Sequence, residues 1–430
     1  MSEPGSTSSS PEVAANVAVI YHSRKGTQHT LAAAAAAGAR AAGAAVRLRL
    51  VPAGDVGDDP VLDGGRPAVP THDDLVWADG IIWGTPTYYG NVSAPLKQFI
   101  DSTSGLWTEG LLADCAVTGM TSSTSLNGGQ EATLLGLYRS MYHWGALVMA
   151  ADPTAAGWSA SGGNPYGLSV CACYGRLREA DRRAAHEVGH RISRLAERTH
   201  PLRERLRGHD LMYLKSGADS ARVAVLFQDG DPALLELARA VACGVRDAGG
   251  DVRLRRLPPL SDAPKRPAGA EASILFACPD DVAWADGLAV GARPAAGSMP
   301  TELAHFLHTT EAAVPMRRRL HKTVTAFGTA ENSHAGGESL LLSVYTAMHT
   351  WAALIVAPGY TDAVVNGAGG NPYGTLFFAR NGPRKQEALA AARYQGRRLT
   401  TVTQQVRSPG NLVERGKECA SIGRPTGTTP

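Results

Sequence analysis

Among the 430 residues there are only 6 cysteines, aromatic residues make up 6%, and 42 Lys and Arg against 39 Asp and Glu leave a net charge of +3. So few cysteines exclude a disulfide-built scaffold. Only Cys171 and Cys173 are close in sequence, and no second pair or histidine cluster completes a metal site around them. All six read as reduced, buried cysteines of a cytoplasmic protein. The small, dispersed charge excludes an electrostatic footprint for nucleic acid or an acidic membrane surface. Long apolar runs are missing too: Ala32–Ala37 is weakly hydrophobic and sits among helix formers, whereas a membrane span needs about 20 apolar residues. The opening MSEPGSTSSSPEVAAN has neither a basic n-region nor an apolar h-region, so residues 1–15 are expected to be a disordered tail, not a secretion signal.

What is present is a unit written twice. GGNPYG occurs at Gly162–Gly167 and again 207 positions later at Gly369–Gly374. In the same register WADGIIWG (Trp77–Gly84) falls on WADGLAVG (Trp284–Gly291), EATLLGLY (Glu131–Tyr138) on ESLLLSVY (Glu338–Tyr345), and WGALV (Trp144–Val148) on WAALI (Trp351–Ile355). Upstream, NVAVIY (Asn16–Tyr21) matches RVAVLF (Arg222–Phe227) at an offset one shorter. The chain is too long for one ordinary core. The repeat divides it into domains over 16–197 and 221–407, a linker over 198–220 rich in charge with Pro and Gly, and a polar tail over 408–430.

Within a repeat, short apolar runs alternate with helical stretches. VAVIY suits a buried parallel strand and precedes an alanine-rich helix from about Thr27 to Ala42; VRLRLVP, ADGIIWG, CAVTGM and ALVMAADP supply four further strands. The order predicts an α/β fold, a doubly wound five-stranded parallel sheet in each of two tandem domains. Flavodoxin and Rossmann strand orders fit the spacing equally well, and the loops after the strands must choose between them.

The first loop, HSRKGTQHT (His22–Thr30), opens the first helix where free N–H groups bind anions, but has neither GxGxxG nor a P-loop pattern. Its hydroxyls, Ser23 and Thr27, surround one glycine, a chemistry suited to a terminal phosphate. The second loop, GTPTYYGN (Gly84–Asn91), offers Thr87, Tyr88 and Tyr89 to a planar heterocycle. The third, SSTSLNGGQE (Ser122–Glu131), exposes backbone donors and acceptors that can read a pyrimidine edge.

GTPTYYGNVSAPLKQFID, SGLWTEG, SSTSLNGGQE, YHWG and GGNPYG, in that order, resemble the WrbA-type NAD(P)H:quinone oxidoreductases, FMN enzymes of flavodoxin-like fold, over nearly all of residues 16–195. The resemblance implies FMN contacts from Ser23, Arg24, Lys25, Gly26, Thr27 and Gln28, from Thr87, Tyr88 and Tyr89, from Ser123, Thr124, Ser125, Leu126, Asn127 and Gly128, and from His143. It places Trp107 against the substrate and a nicotinamide contact, from NADPH or NADH, at Lys25. His143 and Trp107 are its catalytic candidates. It implies tetramers with flavin sites near subunit interfaces, hence for this fused chain a homodimer imitating a tetramer. Lys25 stands where the family has an aromatic residue, Tyr88 where it is often basic, and Leu126 and Asn127 where it has small residues, changes that point to a shifted substrate preference. No metal is implied.

In the second repeat HSRKGTQ becomes QDGDPAL (Gln228–Leu234), whose Asp229 and Asp231 repel a phosphate. TPTYYGN becomes ARPAAGS, Trp107 falls on Val314 and His143 on Thr350. The second domain is therefore expected to lack FMN, with Tyr373 of its GGNPYG bordering the flavin site of the first. The function expected is two-electron reduction of a quinone or related polyaromatic acceptor, suited to a dedicated biosynthetic quinone. The rival readings are a flavin-binding electron carrier or assembly protein, and a second domain binding its own small molecule through Asp281, Glu331 and His334.

Overall fold

Buried apolar runs become the central strands. The computed structural model of the protein describes residues 15–54, 65–155, 157–173, 177–207, 220–260, 273–382 and 384–407. The tails expected over 1–15 and 408–430, Ala15 excepted, and residues 208–219 of the expected linker lie outside them.

The first half runs β1 (Asn16–Tyr21), α1 (Thr27–Ala41), β2 (Ala45–Leu50), α2 (His72–Trp77), β3 (Gly80–Pro86), α3 (Ala94–Asp101), α4 (Ser104–Thr108), β4 (Ala116–Ser123), α5 (Gln130–His143), β5 (Leu147–Met149), β6 (Leu168–Cys171) and α6 (Glu179–Leu206). The second half repeats it as β7 (Arg222–Phe227), α7 (Pro232–Asp247), β8 (Asp251–Arg256), α8 (Pro279–Trp284), β9 (Gly287–Ala292), α9 (Thr301–Ala313), α10 (Met316–Arg319), β10 (Thr323–Ala330), α11 (Gly337–His349), β11 (Leu354–Val356), α12 (Ala363–Gly367), β12 (Leu376–Phe378) and α13 (Lys385–Arg407).

Two separate five-stranded sheets were the expectation; the strands instead form one sheet of 12, in the order β2-β1-β3-β4-β5-β11-β10-β9-β7-β8. Each side of its midpoint has the doubly wound 2-1-3-4-5 order of flavodoxin-like folds, and all pairings within a side are parallel. The midpoint pairing, Leu147–Met149 with Leu354–Val356, is antiparallel. The carboxyl edges of the two halves therefore face opposite ways. β6 pairs with the last part of β4, and β12 with the last part of β10.

Burial follows the pleat. Ala18, Ile20, Ile81 and Trp83 of the first half face one helix layer, and Val17, Val19, Tyr21 and Ile82 face the other. Fully burying the valine and isoleucine side chains among these contributes about 1.5–3 kcal/mol each. Both GGNPYG copies are wired alike. The Tyr138 hydroxyl donates to the Tyr166 carbonyl and the Tyr345 hydroxyl to the Tyr373 carbonyl, each at 2.5 Å. Asn164 and Asn371 accept from the backbone N–H two residues on. A Cβ on Gly167 would sit 2.6 Å from the Gly119 carbonyl oxygen, and one on Gly374 2.0 Å from that of Ala326, so only glycine lets the turn lie on the central strand.

Two expectations are corrected. The helix α6 continues through 198–206, the start of the expected linker, because Arg203 is buried and donates to the carbonyls of Leu75, Val76, Ala78, Leu111 and Ala113. Those five contacts tie the charged segment to the first half despite Pro201. Cys171 and Cys173 are not free thiols but form a disulfide, and of the described free cysteines only Cys115 is buried, Cys243 and Cys278 being exposed.

Candidate functional site

Three loops leave the carboxyl edge of the first half, after β1, β3 and β4. In the first, the Ser23 hydroxyl is buried and without a hydrogen-bond partner among the described residues. Arg24 and Lys25 are exposed, and Gly26 takes φ 80° to start α1 at Thr27. No side chain caps α1, so its N-terminal N–H groups remain available to an anion beside that orphaned hydroxyl. Buried Gln28 spans to the third loop, its Nε2 donating to Ser122 Oγ at 2.9 Å.

In the second loop Thr87 is held by Thr121 and Thr133 hydroxyls at 2.9 and 3.1 Å. Tyr88 closes a two-way backbone bridge with Asn91, which pushes Tyr89 (φ 49°) fully into solvent. In the third, Ser123 Oγ accepts from the Ser125 N–H at 3.1 Å, while Thr124, Ser125, Leu126 and Asn127 are exposed. Gln130, absent from the predicted set, organises this loop. Its Oε1 accepts from Gly128 N–H, and its Nε2 donates to the carbonyls of Ser125 and Leu126. The SSTSLNGGQE motif contained that signal, a side chain with both donor and acceptor at the start of a helix. Gly129 (φ 93°) lets the loop touch the second one, since its Cβ would lie 2.9 Å from Gly90 Cα.

His143 and Trp107 are not with these loops. His143 ends α5, whose 14 residues start at the third loop, so about 20 Å separates it from the start of the helix at 1.5 Å per residue. Trp107, in α4, likewise precedes the amino end of β4. The pair sits at the amino edge of the first half, which antiparallel joining sets beside the carboxyl edge of the second. There the Trp107 indole N–H donates to the His143 carbonyl at 3.0 Å, and Trp107 packs edge-on against Tyr360 at 5.1 Å between centroids. His143 Nε2 lies 3.2 Å from the Tyr373 hydroxyl. Burial lowers the His143 pKa, against an opposing pull from Glu338 in the first turn of α11, and burial raises that of Tyr373. Both are neutral at pH 7. Tyr373 thus meets a predicted site residue, but on the second half's own edge, not at the first half's loops as expected.

At the corresponding place by the first half's loops, Tyr166, near Glu131, packs edge-on against His349, 5.9 Å between centroids. His349 is fully buried, 3.1 Å from the Tyr142 hydroxyl, and burial pushes its pKa down to about 3.

The second half's loops are closed by its own side chains. Asp231 Oδ1 accepts from the N–H groups of Ala233 and Leu234, capping α7, and its Oδ2 accepts from the Thr329 hydroxyl at 2.5 Å. Asp229 pairs with buried Arg256 at 3.3 Å, and Glu331 with Arg380 at 2.8 Å. Elsewhere among the described residues Asp79, His200 and Glu204 lie close enough to share a cation, but Arg207 already bridges both carboxylates.

A family model described as NADPH-dependent FMN reductase matches residues 15–157. The chain is 38% identical over 194 residues to an NAD(P)H dehydrogenase (quinone) of Deinococcus radiodurans, covering 43% of this chain and 94% of that protein. It is 38% identical over 170 residues to the protein of the same name from Geobacter sulfurreducens, covering 36% and 84%. A solved WrbA-like flavodoxin of Agrobacterium tumefaciens is 28% identical, with TM-score 0.32, over 43% of this chain and 99% of that one. With the loops and strand order in place, the chain belongs to the WrbA-type NAD(P)H dehydrogenase (quinone) family.

Proposed function

We propose that the chain is an FMN-dependent NAD(P)H oxidoreductase that reduces a quinone or related polyaromatic acceptor by two electrons. Residues 16–197 form its flavin-binding flavodoxin-like domain, and residues 221–407 a second flavodoxin-like domain without flavin. The observation that carries this reading is the contrast at the first helix of each half: α1 is uncapped beside the unpartnered Ser23 hydroxyl, whereas Asp231 caps α7. A phosphate fits the first place and is repelled from the second.

Ser23, Arg24, Lys25, Gly26, Thr27 and Gln28 would hold the FMN phosphate, Thr87, Tyr88 and Tyr89 would flank the ring, and Ser123, Thr124, Ser125, Leu126, Asn127 and Gly128 would read its pyrimidine edge. Bound FMN supplies the hydride chemistry between the nicotinamide and the acceptor. The protein orients and excludes water: Gln28 and Gln130 keep the loops in place, exposed Lys25 attracts the dinucleotide's phosphates, and Tyr89 offers a free aromatic face to a flat acceptor. Trp107 and His143 would reach a flavin only from another copy of the chain, in the homodimer that the family's interface-sited flavins suggest. In that setting the neutral His143–Tyr373 pair holds a proton at Tyr373 Oη or His143 Nε2 that can stabilise developing charge on the acceptor.

The visible spectrum of the purified protein, with flavin quantified per chain, tests the assignment. About one FMN supports it; two refute the flavin-free second domain, and none removes the whole reading. Bleaching of that flavin by NADPH in a stopped flow separates an enzyme from a carrier without turnover. A stable monomer of full activity would take Trp107 and His143 out of the catalytic machinery.

A further inference from the structure

Beside the third loop lies a pair of sulfurs for which the reductase reading has no use. Cys171 ends β6 in register with Ser123, the last residue of β4, and Ala172 N–H donates to the Ser123 carbonyl at 2.7 Å. Cys173, two residues on, is disulfide-bonded to Cys171, with Cα atoms 5.2 Å apart. Its backbone N–H also donates to Cys171 Sγ at 3.2 Å. Ser123 is the keystone of the loop, because its hydroxyl accepts from Ser125 and a Cβ on Gly128 would fall 2.0 Å from that oxygen. The disulfide therefore closes the strand end against which the loop is built.

The second half has the same strand end without sulfur. Ala330 pairs with Phe378, Ala379 N–H donates to the Ala330 carbonyl at 3.0 Å, and the chain is then pinned by Arg380, which bonds the Glu331 carbonyl and carboxylate. Phe378 and Arg380 stand where the first half has Cys171 and Cys173. A solvent-exposed ion pair stands at this place in the second copy; a covalent bond that can open stands there in the first. Cys173 is exposed and Cys171 partly so, which admits a small or protein dithiol.

We propose that Cys171 and Cys173 are a thiol–disulfide redox site whose state sets how firmly the third loop of the first half holds its ligand. A thiolate of an external dithiol attacks one sulfur, the Cys171–Cys173 bond breaks, and a mixed disulfide forms. The reductant's second thiolate then displaces the protein sulfur. The pair gains two electrons and two protons to become two thiols, while the reductant becomes a disulfide. In a reducing compartment a pair of this kind senses redox state and is not a permanent staple. Reduction removes the closure under Ser123, so flavin affinity falls by about fivefold or more. By reciprocity bound FMN makes the pair harder to reduce by the same factor, about 20 mV for fivefold. The coupling rests on the flavin reading above; the redox pair itself does not.

The full chain tests both parts. Thiols are counted by alkylation and intact mass before and after dithiothreitol, and FMN affinity is measured by flavin fluorescence on the oxidised chain, the reduced chain and a Cys171→Ser, Cys173→Ser double variant. The expected result is two further thiols on reduction, about fivefold weaker FMN binding, and a double variant that matches the reduced chain whether or not dithiothreitol is present. Alkylation of all six cysteines before reduction would overturn the redox site. Equal affinities of the oxidised and reduced chains, or tighter binding on reduction, overturn the coupling. A dithiothreitol response surviving in the double variant overturns it as well, by placing the effect elsewhere. A chain that binds no FMN in either state overturns the coupling together with the flavin reading, while the thiol count still decides the pair.

Discussion

The two halves share strand order, the GGNPYG turn and its tyrosine-to-carbonyl bond, and part company at the ends of their strands. Ser122 on one side bonds Gln28, which ties two loops together and leaves the helix terminus free; Thr329 on the other bonds Asp231, which fills that terminus. Packing in the interior is thus shared by the two halves where the side chains at the strand ends are not. The same divergence runs through the seam. Arg398 crosses it, 2.7 Å from Asp114 and 2.6 Å from the Gly145 carbonyl, whereas its counterpart Arg191 bonds Asp152 and Ala150 of its own half and it is Asp152 that reaches across, to His321 at 3.2 Å. The seam is thus bridged on both sides, by different residues on each.

The largest effect should come from that arginine. Arg398→Ala leaves the Asp114 carboxylate unpaired in a mostly buried place and is expected to cost about 3–5 kcal/mol, against roughly 1 kcal/mol for Arg191→Ala. Urea unfolding of the two variants measures the difference, and equal costs would mean that the two sides of the seam bear equally on stability.

Acid should act on the seam next. His349 has a folded-state pKa lowered to about 3, so the unfolded chain binds its proton first. Stability is then full above about pH 6.5 and declines as pH falls toward 3, by about 3 kcal/mol at pH 4 from this group alone. His349→Phe should flatten that part of the slope. At pH 7 it costs roughly 1–2 kcal/mol through the Tyr142 hydroxyl it strands. Denaturant melts between pH 4 and 7 give both numbers.

Making the first half's loop more like the second's comes third. Lys25→Asp puts a carboxylate at the position of Asp231 and is expected to weaken FMN binding about 100-fold, with folding unchanged. Flavin content after gel filtration reads this out; retained flavin would show that the helix terminus is not the phosphate site. The mildest change is Tyr89→Ala. Tyr89 and Ala296 occupy the same left-handed turn, φ 49° and 48°, so the backbone accepts alanine. The KM for a quinone acceptor should rise about fivefold, near 1 kcal/mol, with kcat and stability unaffected. An unchanged KM would remove Tyr89 from the acceptor site.

Much of this was legible in the sequence, because local signals carried it. VAVIY, ADGIIWG and CAVTGM announced buried strands, the repeat offset located the second copy, and the loop motifs after the strands marked the carboxyl edge. What escaped depends on tertiary pairing. β5 and β11 are three residues each, too short to advertise that they join two sheets into one, and without that join the amino edge of one half cannot be known to lie beside the carboxyl edge of the other. Hence Trp107 and His143 were read into a site from which α5 holds them apart. The Tyr142–His349 contact was within reach: the two are 207 positions apart, the repeat offset itself, as expected of residues facing each other across a pseudo-twofold axis. Arg203 and Pro201 looked like linker chemistry because the carbonyls that receive Arg203 come from remote segments.

The join between β5 and β11 also bears on edge-to-edge association. An open parallel sheet ends in a strand whose unpaired N–H and C=O groups can recruit any extended segment, from this protein or another. Each half by itself would present such an end at its fifth strand, and that strand is apolar. Pairing Leu147–Met149 with Leu354–Val356 hides both ends at once, at the dry centre of the molecule. The second copy thereby serves as a permanent cover for the vulnerable margin of the first, a protection that a single-copy relative must find in some other way.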